Sequence, residues 1–287
     1  MNLKKLLAIG LVALTTVAFS SQESYAIFKK KTDNKVIQLK GSDTILNLSQ
    51  AVAEDFMKTN KKAKISVTGG GSGTGIAGIL NKTIDIGLSS RDISDAELQK
   101  AKAAGLDLQE ITIAFDGITM AVNKANPVKN LTQAQLRAIY IGEIKNWKEV
   151  GGPDERIVVL SRDSSSGTHV YFKEHILRKG NAKGPEEFAS SVLFLPSNEA
   201  LKQESEKSKG AIAYLGMGYV DNSVKEITVD GIEANLANVK SKKYPIARGV
   251  YWYTDKKLEG TTKDLVNFML SPKGQEIVKK EGFVPVK

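Results

Sequence analysis

Short apolar runs of β-strand character alternate along this chain with stretches in which apolar residues recur at helical spacing. In the first half, strand-like runs cover residues 35–40, 64–68 and 83–88, and helical spacing covers residues 46–58 and begins again at 76–81. The corresponding segments of the second half are strands at 118–122 and 157–160 and helices at 132–139 and 169–178. This order of strands and helices predicts an α/β fold with mainly parallel sheets.

No short-period repeat and no Pro-rich or Ser-rich linker divides the sequence. With 287 residues, the chain is long enough for one large domain or two medium-sized ones. The missing linker favours two lobes joined by crossing strands over two domains tethered by a flexible segment.

The N-terminus has the pattern of an export signal. Lys4 and Lys5 precede an apolar run over residues 6–19, and Ser24-Tyr25-Ala26 places small residues at the two positions that signal peptidase reads. We therefore expect residues 1–26 to be a signal peptide that is cleaved after Ala26. A transmembrane anchor is the alternative, but the run is too short to span a bilayer and polar residues follow it. We expect the mature protein to be soluble and periplasmic or secreted.

Composition narrows the classes of partner. The chain has no cysteine, which excludes disulfide bonds and a lipid anchor on an N-terminal cysteine. The formal net charge is +9, but the lysines are scattered and no run interleaves them with aromatic residues, so no nucleic-acid partner is expected. A positive field would raise the arrival rate of a small anion.

Two loops share the tripeptide Ser-Gly-Thr and the same surroundings. They span residues 69–75 and 161–168, and each follows a strand-like run and precedes a helix-like one. At such a junction, backbone N–H groups and short hydroxyl side chains can point at one anion, and the positive end of the helix dipole favours its charge. Because Arg162 lies beside the second loop, the pair of loops predicts an oxyanion site built from both halves of the chain.

The first loop also contains a dinucleotide-binding fingerprint, Gly73-x-Gly75-x-x-Gly78. The acidic residue that should follow about 20 positions later, at the end of the next strand, is missing. Ile76 stands where a P-loop would require lysine. No cofactor is expected, and the remaining interpretation is a glycine-rich turn that presents N–H groups to an anion.

A serine hydrolase is another alternative, because Ser166 and His169 are close in sequence. The Gly-x-Ser-x-Gly elbow is absent, and no acidic partner for His169 is evident. His169 and His175 are the only histidines, and their spacing places them on different helix faces, so no metal site is expected.

Six motifs in order resemble those of the periplasmic phosphate-binding proteins that feed the phosphate ABC transporter. The resemblance covers nearly all of the chain after the signal peptide, through residues 41–44, 70–76, 85–91, 139–147, 162–168 and 271–278. It implies two α/β lobes around a ligand cleft, joined by two strands that cross near residues 113–117 and 246–250. Lobe 1 would comprise residues 33–113 and 248–287, and lobe 2 residues 114–247.

The resemblance also implies a phosphate site. Taken motif by motif, its members would be Asp43, Thr44, Ser72, Gly73, Ser90, Arg91, Arg162, Ser166, Gly167 and Thr168. Arg162 would supply the charged pair, oriented by Asp163. In some relatives an aspartate at the position of Ser90 accepts the proton of hydrogen phosphate, which makes Asp43 the candidate acceptor here. An ordinary helix N-cap is the other interpretation of Asp43.

The resemblance thus predicts an exported, non-enzymatic and monomeric protein. It would capture inorganic phosphate between its lobes and deliver it to the membrane permease of an ABC transporter. Two alternatives remain open: a binding protein for another oxyanion such as sulfate, molybdate or phosphonate, and an exported phosphate-ester hydrolase.

Overall fold

The computed structural model describes residues 35–287, so the predicted signal peptide lies outside the described residues. Within that range the chain forms ten strands and nine α-helices. The strands are β1 (Ile37–Gly41), β2 (Ile65–Thr68), β3 (Ile86–Ser89), β4 (Leu108–Val122), β5 (Asn130–Leu131), β6 (Val158–Arg162), β7 (Leu193–Leu195), β8 (Ala211–Gly216), β9 (Lys225–Val229) and β10 (Ala247–Asp255). The helices are α1 (Leu46–Thr59), α2 (Ser72–Leu80), α3 (Asp95–Ala103), α4 (Gln133–Tyr140), α5 (Gly167–Phe172), α6 (Asn198–Lys207), α7 (Leu236–Lys240), α8 (Gly260–Met269) and α9 (Pro272–Lys280). None of these helices is long and apolar enough to cross a membrane.

The strands and helices that the hydrophobic pattern predicts are confirmed, and three of them start earlier than predicted. The helix predicted at 169–178 begins at Gly167 and continues beyond Phe172 as the π-helical turn Lys173–Leu177. The run at 118–122 is only the end of β4, a strand of 15 residues. Helix α2 begins at Ser72 rather than at residue 76, although its first turn contains two glycines. A Cβ at Gly75 would lie 2.6 Å from the carbonyl oxygen of Lys40 and 2.8 Å from that of Leu88, so the glycine lets this turn pack directly on the sheet.

The strands form one sheet in the order β2-β1-β3-β10-β4-β8-β6-β7, and β9 pairs with both β4 and β5. Strand β1 is parallel to β2 and β3, and β6 is parallel to β7 and β8. The two central strands are antiparallel to each other, and β10 is also antiparallel to β3 and β4 to β8. The sheet is therefore mixed, with parallel pairs in its flanks, because β4 and β10 cross its middle in opposite directions.

Apolar side chains gather into two main clusters, one in each flank of the sheet. The first includes residues of β1, β3 and α1 and is completed by residues 250–283 near the C-terminus. The second comes almost entirely from residues 118–246 and surrounds Trp147 and Tyr214. Strand β4 serves both, because residues 108–117 pair with β10 and residues 118–122 pair with β8. The fold is thus the expected two-lobed α/β arrangement with strands crossing between the lobes.

Candidate functional site

Segments that follow four strands meet at the boundary between the two clusters. Residues 42–44 follow β1, the glycine-rich loop follows β2, Ser90 follows β3, and the second Ser-Gly-Thr loop follows β6. In open α/β sheets, ligands bind beyond the carboxyl ends of parallel strands. The fold therefore places both Ser-Gly-Thr loops where a ligand is expected.

Hydroxyl groups are concentrated where these segments meet. The Oγ1 atoms of Thr44 and Thr168 lie 2.8 Å apart. The Oγ of Ser90 lies 2.9 Å from the Oγ of Ser42 and 3.3 Å from the Oγ of Ser72. All five side chains are buried. Both halves of the chain thus contribute to one dense group of short hydrogen-bonding side chains, which we call the hydroxyl cluster.

The two Ser-Gly-Thr loops contact each other directly. The N–H of Gly73 donates to the carbonyl of Ser165 at 3.0 Å, and the hydroxyl of Ser165 donates to the carbonyl of Gly70 at 3.2 Å. A Cβ at Gly167 would lie only 2.2 Å from the Oγ of Ser72. Glycine at this position is therefore required for the approach of the two loops.

Ser166 begins α5. It is the N-cap of this helix, and its Oγ accepts the N–H of His169 at 3.4 Å. Ser166 is buried, and it lies in the second Ser-Gly-Thr loop together with Thr168 of the hydroxyl cluster. Capping leaves the hydroxyl proton free to donate to a ligand, because the cap uses only an oxygen lone pair.

Arg162 brings positive charge into this region. Its side chain is 1% exposed, and Nη2 donates to Oδ2 of Asp43 at 2.7 Å and to the carbonyl of Pro196 at 2.8 Å. Its Nε and Nη1 atoms have no hydrogen-bond partner within residues 35–287. Buried donors in proteins are almost always satisfied, and an oxyanion is the acceptor that a guanidinium binds best.

Asp43, and not Asp163, orients Arg162. Asp43 is fixed from two sides, since Oδ1 accepts the N–H of Gly70 at 3.0 Å while Oδ2 accepts from Arg162. Asp163 instead folds onto its own loop, where its Oδ1 accepts the N–H of Ser165 at 2.8 Å. The prediction for Asp163 was therefore wrong. Asp163 does not reach Arg162 because neighbouring residues at the end of a strand point to opposite sides.

The interpretation of Asp43 as an ordinary N-cap is also wrong. Asp43 lies inside the short 3₁₀ turn Asp43–Ile45, whose N-cap is Ser42, and the N-cap of α1 is Ile45. The hydroxyl of Tyr219 donates to the backbone carbonyl of Asp43. Burial raises the pKa of Tyr219, so this phenol remains a donor. Asp43 is thus held by its backbone as well as by its side chain.

A second buried ion pair, between Arg248 and Asp116, was not anticipated from the sequence. Oδ2 of Asp116 accepts from Nη2 and Nε of Arg248 at 2.9 and 3.2 Å. The same guanidinium donates to the carbonyl of Ser90 at 2.7 Å and to Oγ1 of Thr168 at 2.9 Å. Burial raises the pKa of the Asp116 carboxyl, and the charge of Arg248 offsets part of that increase. The available sequence signal was one aspartate and one arginine within the predicted crossing segments 113–117 and 246–250.

Arg91 is not brought into the hydroxyl cluster. Its Nη1 and Nη2 form a bidentate pair with Oε2 and Oε1 of Glu97 at 2.9 and 2.8 Å. Burial by itself would raise the pKa of Glu97, but hydrogen bonds from Arg91 and Ser94 outweigh burial and lower this pKa to about 2. The arginine of the third motif therefore pairs with α3.

The hydrogen bond between Ser166 and His169 joins the Ser166 Oγ to the backbone N–H of His169, and within residues 35–287 none joins it to the His169 ring, so the ring is not placed to activate Ser166. Its Nδ1 lies 2.8 Å from the carbonyl of Arg162, so this nitrogen carries the proton and donates it. Burial lowers the pKa of His169, which favours the neutral ring. Among the residues that the structure describes, no group of three or more His, Cys, Asp or Glu side chains is arranged to hold a metal ion.

Comparison with known proteins identifies the family and agrees with the fold. Residues 20–273 match the PBP superfamily domain. The phosphate-binding protein PstS of Bacillus subtilis is 33% identical over 87% of this chain and 80% of its own length, and PstS of Borreliella burgdorferi is 30% identical over 90% and 93%. A crystal structure from Clostridium perfringens, described as a phosphate ABC transporter substrate-binding protein with bound phosphate, is 36% identical, with a TM-score of 0.81 over 88% of this chain and all of that one.

The two-lobed fold with crossing strands and the match to the PBP superfamily domain define a substrate-binding protein of that superfamily. Within that class, this chain belongs to the PstS family of phosphate-binding proteins.

Proposed function

We propose that this protein captures inorganic phosphate between its lobes and delivers it to the membrane permease of an ABC transporter. The observation that carries the proposal is the buried guanidinium of Arg162, which has two donor atoms without a partner in residues 35–287 and lies beside a hydroxyl cluster drawn from both halves of the chain. The names of the PstS relatives and the phosphate in the Clostridium perfringens structure support the same ligand.

We place lobe 1 at residues 33–113 and 248–287 and lobe 2 at residues 114–247. The two apolar clusters support this division, because each draws almost entirely on one of these sets. The proposed ligand-binding groups of lobe 1 are Asp43, Thr44, Ser72, Gly73 and Ser90. Those of lobe 2 are Arg162, Ser166, Gly167 and Thr168.

Phosphate binding would exchange contacts between the lobes for contacts with the anion. At present the hydroxyls of Thr44 and Thr168 bond to each other, and the N–H of Gly73 bonds to Ser165. A neutral hydrogen bond contributes about 1 kcal/mol and one to a charged group about 2 kcal/mol. Micromolar affinity corresponds to about −8 kcal/mol, and association costs at least ~4 kcal/mol. The bonds to the anion must therefore contribute about 12 kcal/mol in all, which is about six charged bonds at about 2 kcal/mol each. Arg162 and the loops of both lobes together supply that number, and one loop alone does not.

Selectivity for phosphate over sulfate would come from a carboxylate. Hydrogen phosphate carries a proton that it can donate, whereas sulfate is fully ionised at neutral pH and meets a carboxylate as a like charge. We assign the acceptor role to Asp43, because its carboxylate contacts the guanidinium that would bind the anion. Ser90, at the position where some relatives have an aspartate, is left as a hydroxyl donor.

We further propose that the protein acts without catalysis, as a monomer, after export and cleavage following Ala26. The missing hydrogen bond between Ser166 Oγ and the His169 ring, within residues 35–287, supports the non-enzymatic role, since an activated serine needs such a contact with a base. Incubation with a chromogenic phosphate ester tests it: steady release of the chromophore would identify an enzyme.

Isothermal titration calorimetry of the exported protein with phosphate, arsenate and sulfate tests the ligand. We expect micromolar or tighter binding of phosphate, competition by arsenate, which has the same shape and protonation, and weaker binding of sulfate. No binding at millimolar phosphate would refute the proposed function. Tighter binding of sulfate than of phosphate would assign the site to a fully ionised anion.

A further inference from the structure

Arg248 bridges the two proposed lobes beside the hydroxyl cluster. Its side chain is 2% exposed, and its guanidinium donates to the carbonyl of Ser90 on one side and to the hydroxyl of Thr168 on the other. The ring of Tyr171 lies over the guanidinium, 5.6 Å from ring centroid to Cζ, and restricts the orientation of its plane. A planar fork held in this way can direct each of its N–H groups at a defined acceptor.

We propose that Arg248, held by Asp116, is a positioning residue that fixes the hydroxyl of Thr168 as a hydrogen-bond donor to phosphate. This inference rests on the proposed function. An arginine side chain donates and never accepts, so the bond of 2.9 Å fills a lone pair of Thr168 Oγ1. Arg248 therefore leaves the proton of Thr168 for Thr44, whose Oγ1 lies 2.8 Å away, or for phosphate once the anion replaces that contact. Because a phosphate oxygen without a proton only accepts, a hydroxyl helps to bind it only when that hydroxyl donates.

Asp116 makes this arrangement possible in the protein interior. Asp116 and Arg248 are partners in the register of β4 and β10, and both are buried. A lone guanidinium at this depth would carry a large desolvation cost. The ion pair has no net charge. It therefore orients the hydroxyl of Thr168 without adding positive charge to the hydroxyl cluster. Arg162 is also paired with a carboxylate, but it differs in having two donor atoms without an acceptor within the described residues.

A double-mutant cycle tests whether Arg248 acts through Thr168. One arm replaces the ion pair by Asp116→Asn with Arg248→Gln, which leaves no unpaired buried charge. The other arm is Thr168→Val, which keeps the shape and removes the hydroxyl. Phosphate dissociation constants are measured by calorimetry for the wild type, each arm and the combination. We expect the ion-pair arm to weaken binding by about 10-fold or more in the wild-type background and by less than about threefold in the Thr168→Val background.

A purely structural role for Arg248 predicts the same loss of affinity in both backgrounds, and that result would overturn the proposal. So would an unchanged affinity in the wild-type background. Failure of the wild type itself to bind phosphate would instead reject the proposed function. The matched control is the Arg91–Glu97 pair, replaced by glutamine at both positions, which should leave phosphate affinity unchanged.

If thermal unfolding shows that the ion-pair arm does not fold, Arg248→Lys replaces it in the same cycle. Lysine keeps the charge opposite Asp116 but lacks the fork that reaches Ser90 and Thr168 together. The expectation is the same: a loss of affinity that Thr168→Val cancels. A loss that persists in the Thr168→Val background would overturn the proposal in this form too.

Discussion

Replacing Arg162 by methionine should weaken phosphate binding by at least about 3 kcal/mol, or more than about 100-fold. The substitution removes two donor atoms that have no partner in the described part of the chain, and each charged hydrogen bond contributes about 1.5–3 kcal/mol. It also leaves the carboxylate of Asp43, which now neutralises Arg162 at 2.7 Å, directed at the ligand. Two like charges about 4 Å apart repel by about 1 kcal/mol in water and about 4 kcal/mol near a protein surface.

Calorimetric titration with phosphate at pH 7 measures this loss, and thermal unfolding without ligand checks that the variant is folded. Adding Asp43→Asn to Arg162→Met should recover part of the affinity, because it removes the repulsion. Arg91→Met is the control, since Arg91 is paired with Glu97 and should not change the affinity by more than about twofold. A folded Arg162→Met protein that binds phosphate within threefold of the wild type would refute the role of Arg162.

Four further predictions follow from the same contacts. Asp43→Asn should lower the ratio of phosphate to sulfate affinity, and an unchanged ratio in competitive titrations would show that the proton acceptor is another group. Gly167→Ala should weaken phosphate binding by about 10-fold or more, since its Cβ would lie 2.2 Å from the Oγ of Ser72; wild-type affinity would mean that the loops need not approach so closely. Phosphate should reduce the radius of gyration in small-angle scattering and raise the melting temperature with concentration, and stabilisation without compaction would indicate a site that is already closed. Glu97→Gln should cost about 2 kcal/mol of folding stability at pH 7. Because the folded pKa of Glu97 is lowered to about 2, this difference should be full above about pH 4.5 and shrink towards pH 2 in denaturant titrations, and a difference independent of pH would contradict the pairing with Arg91.

The sequence was informative wherever one segment carries both the structural and the chemical signal. The Ser-Gly-Thr loops predicted their own place at strand-to-helix junctions, because glycine and hydroxyl residues are needed there for local reasons. The helices and strands were equally accessible, since hydrophobic periodicity is a local property. The early start of α2 could not be predicted, because Ser72 to Gly75 have no apolar periodicity. Their conformation depends on packing against the sheet beneath them.

Partners distant in sequence could not be predicted. Asp163 is the neighbour of Arg162 in the chain, but the partner of Arg162 is Asp43, 119 residues away. The pairing of Asp116 with Arg248 depends on the register between β4 and β10, which no local pattern fixes. For Arg91, the partner is close in sequence but was also missed. Its motif resembles that of phosphate-binding proteins, but its guanidinium forms an ion pair with Glu97 on the following helix.

The return of the chain to its first apolar cluster has a consequence for biogenesis. Trp252, Leu265 and Phe283 complete the core around β1 and α1, although nearly the whole chain separates them from these elements. A chain synthesised from its N-terminus therefore lacks the partners for that core until its last helices have been made. Contacts between such distant residues also form slowly. The topology that joins the two lobes thus makes the first apolar cluster, although it contains β1, the last part of the protein that can be completed during synthesis.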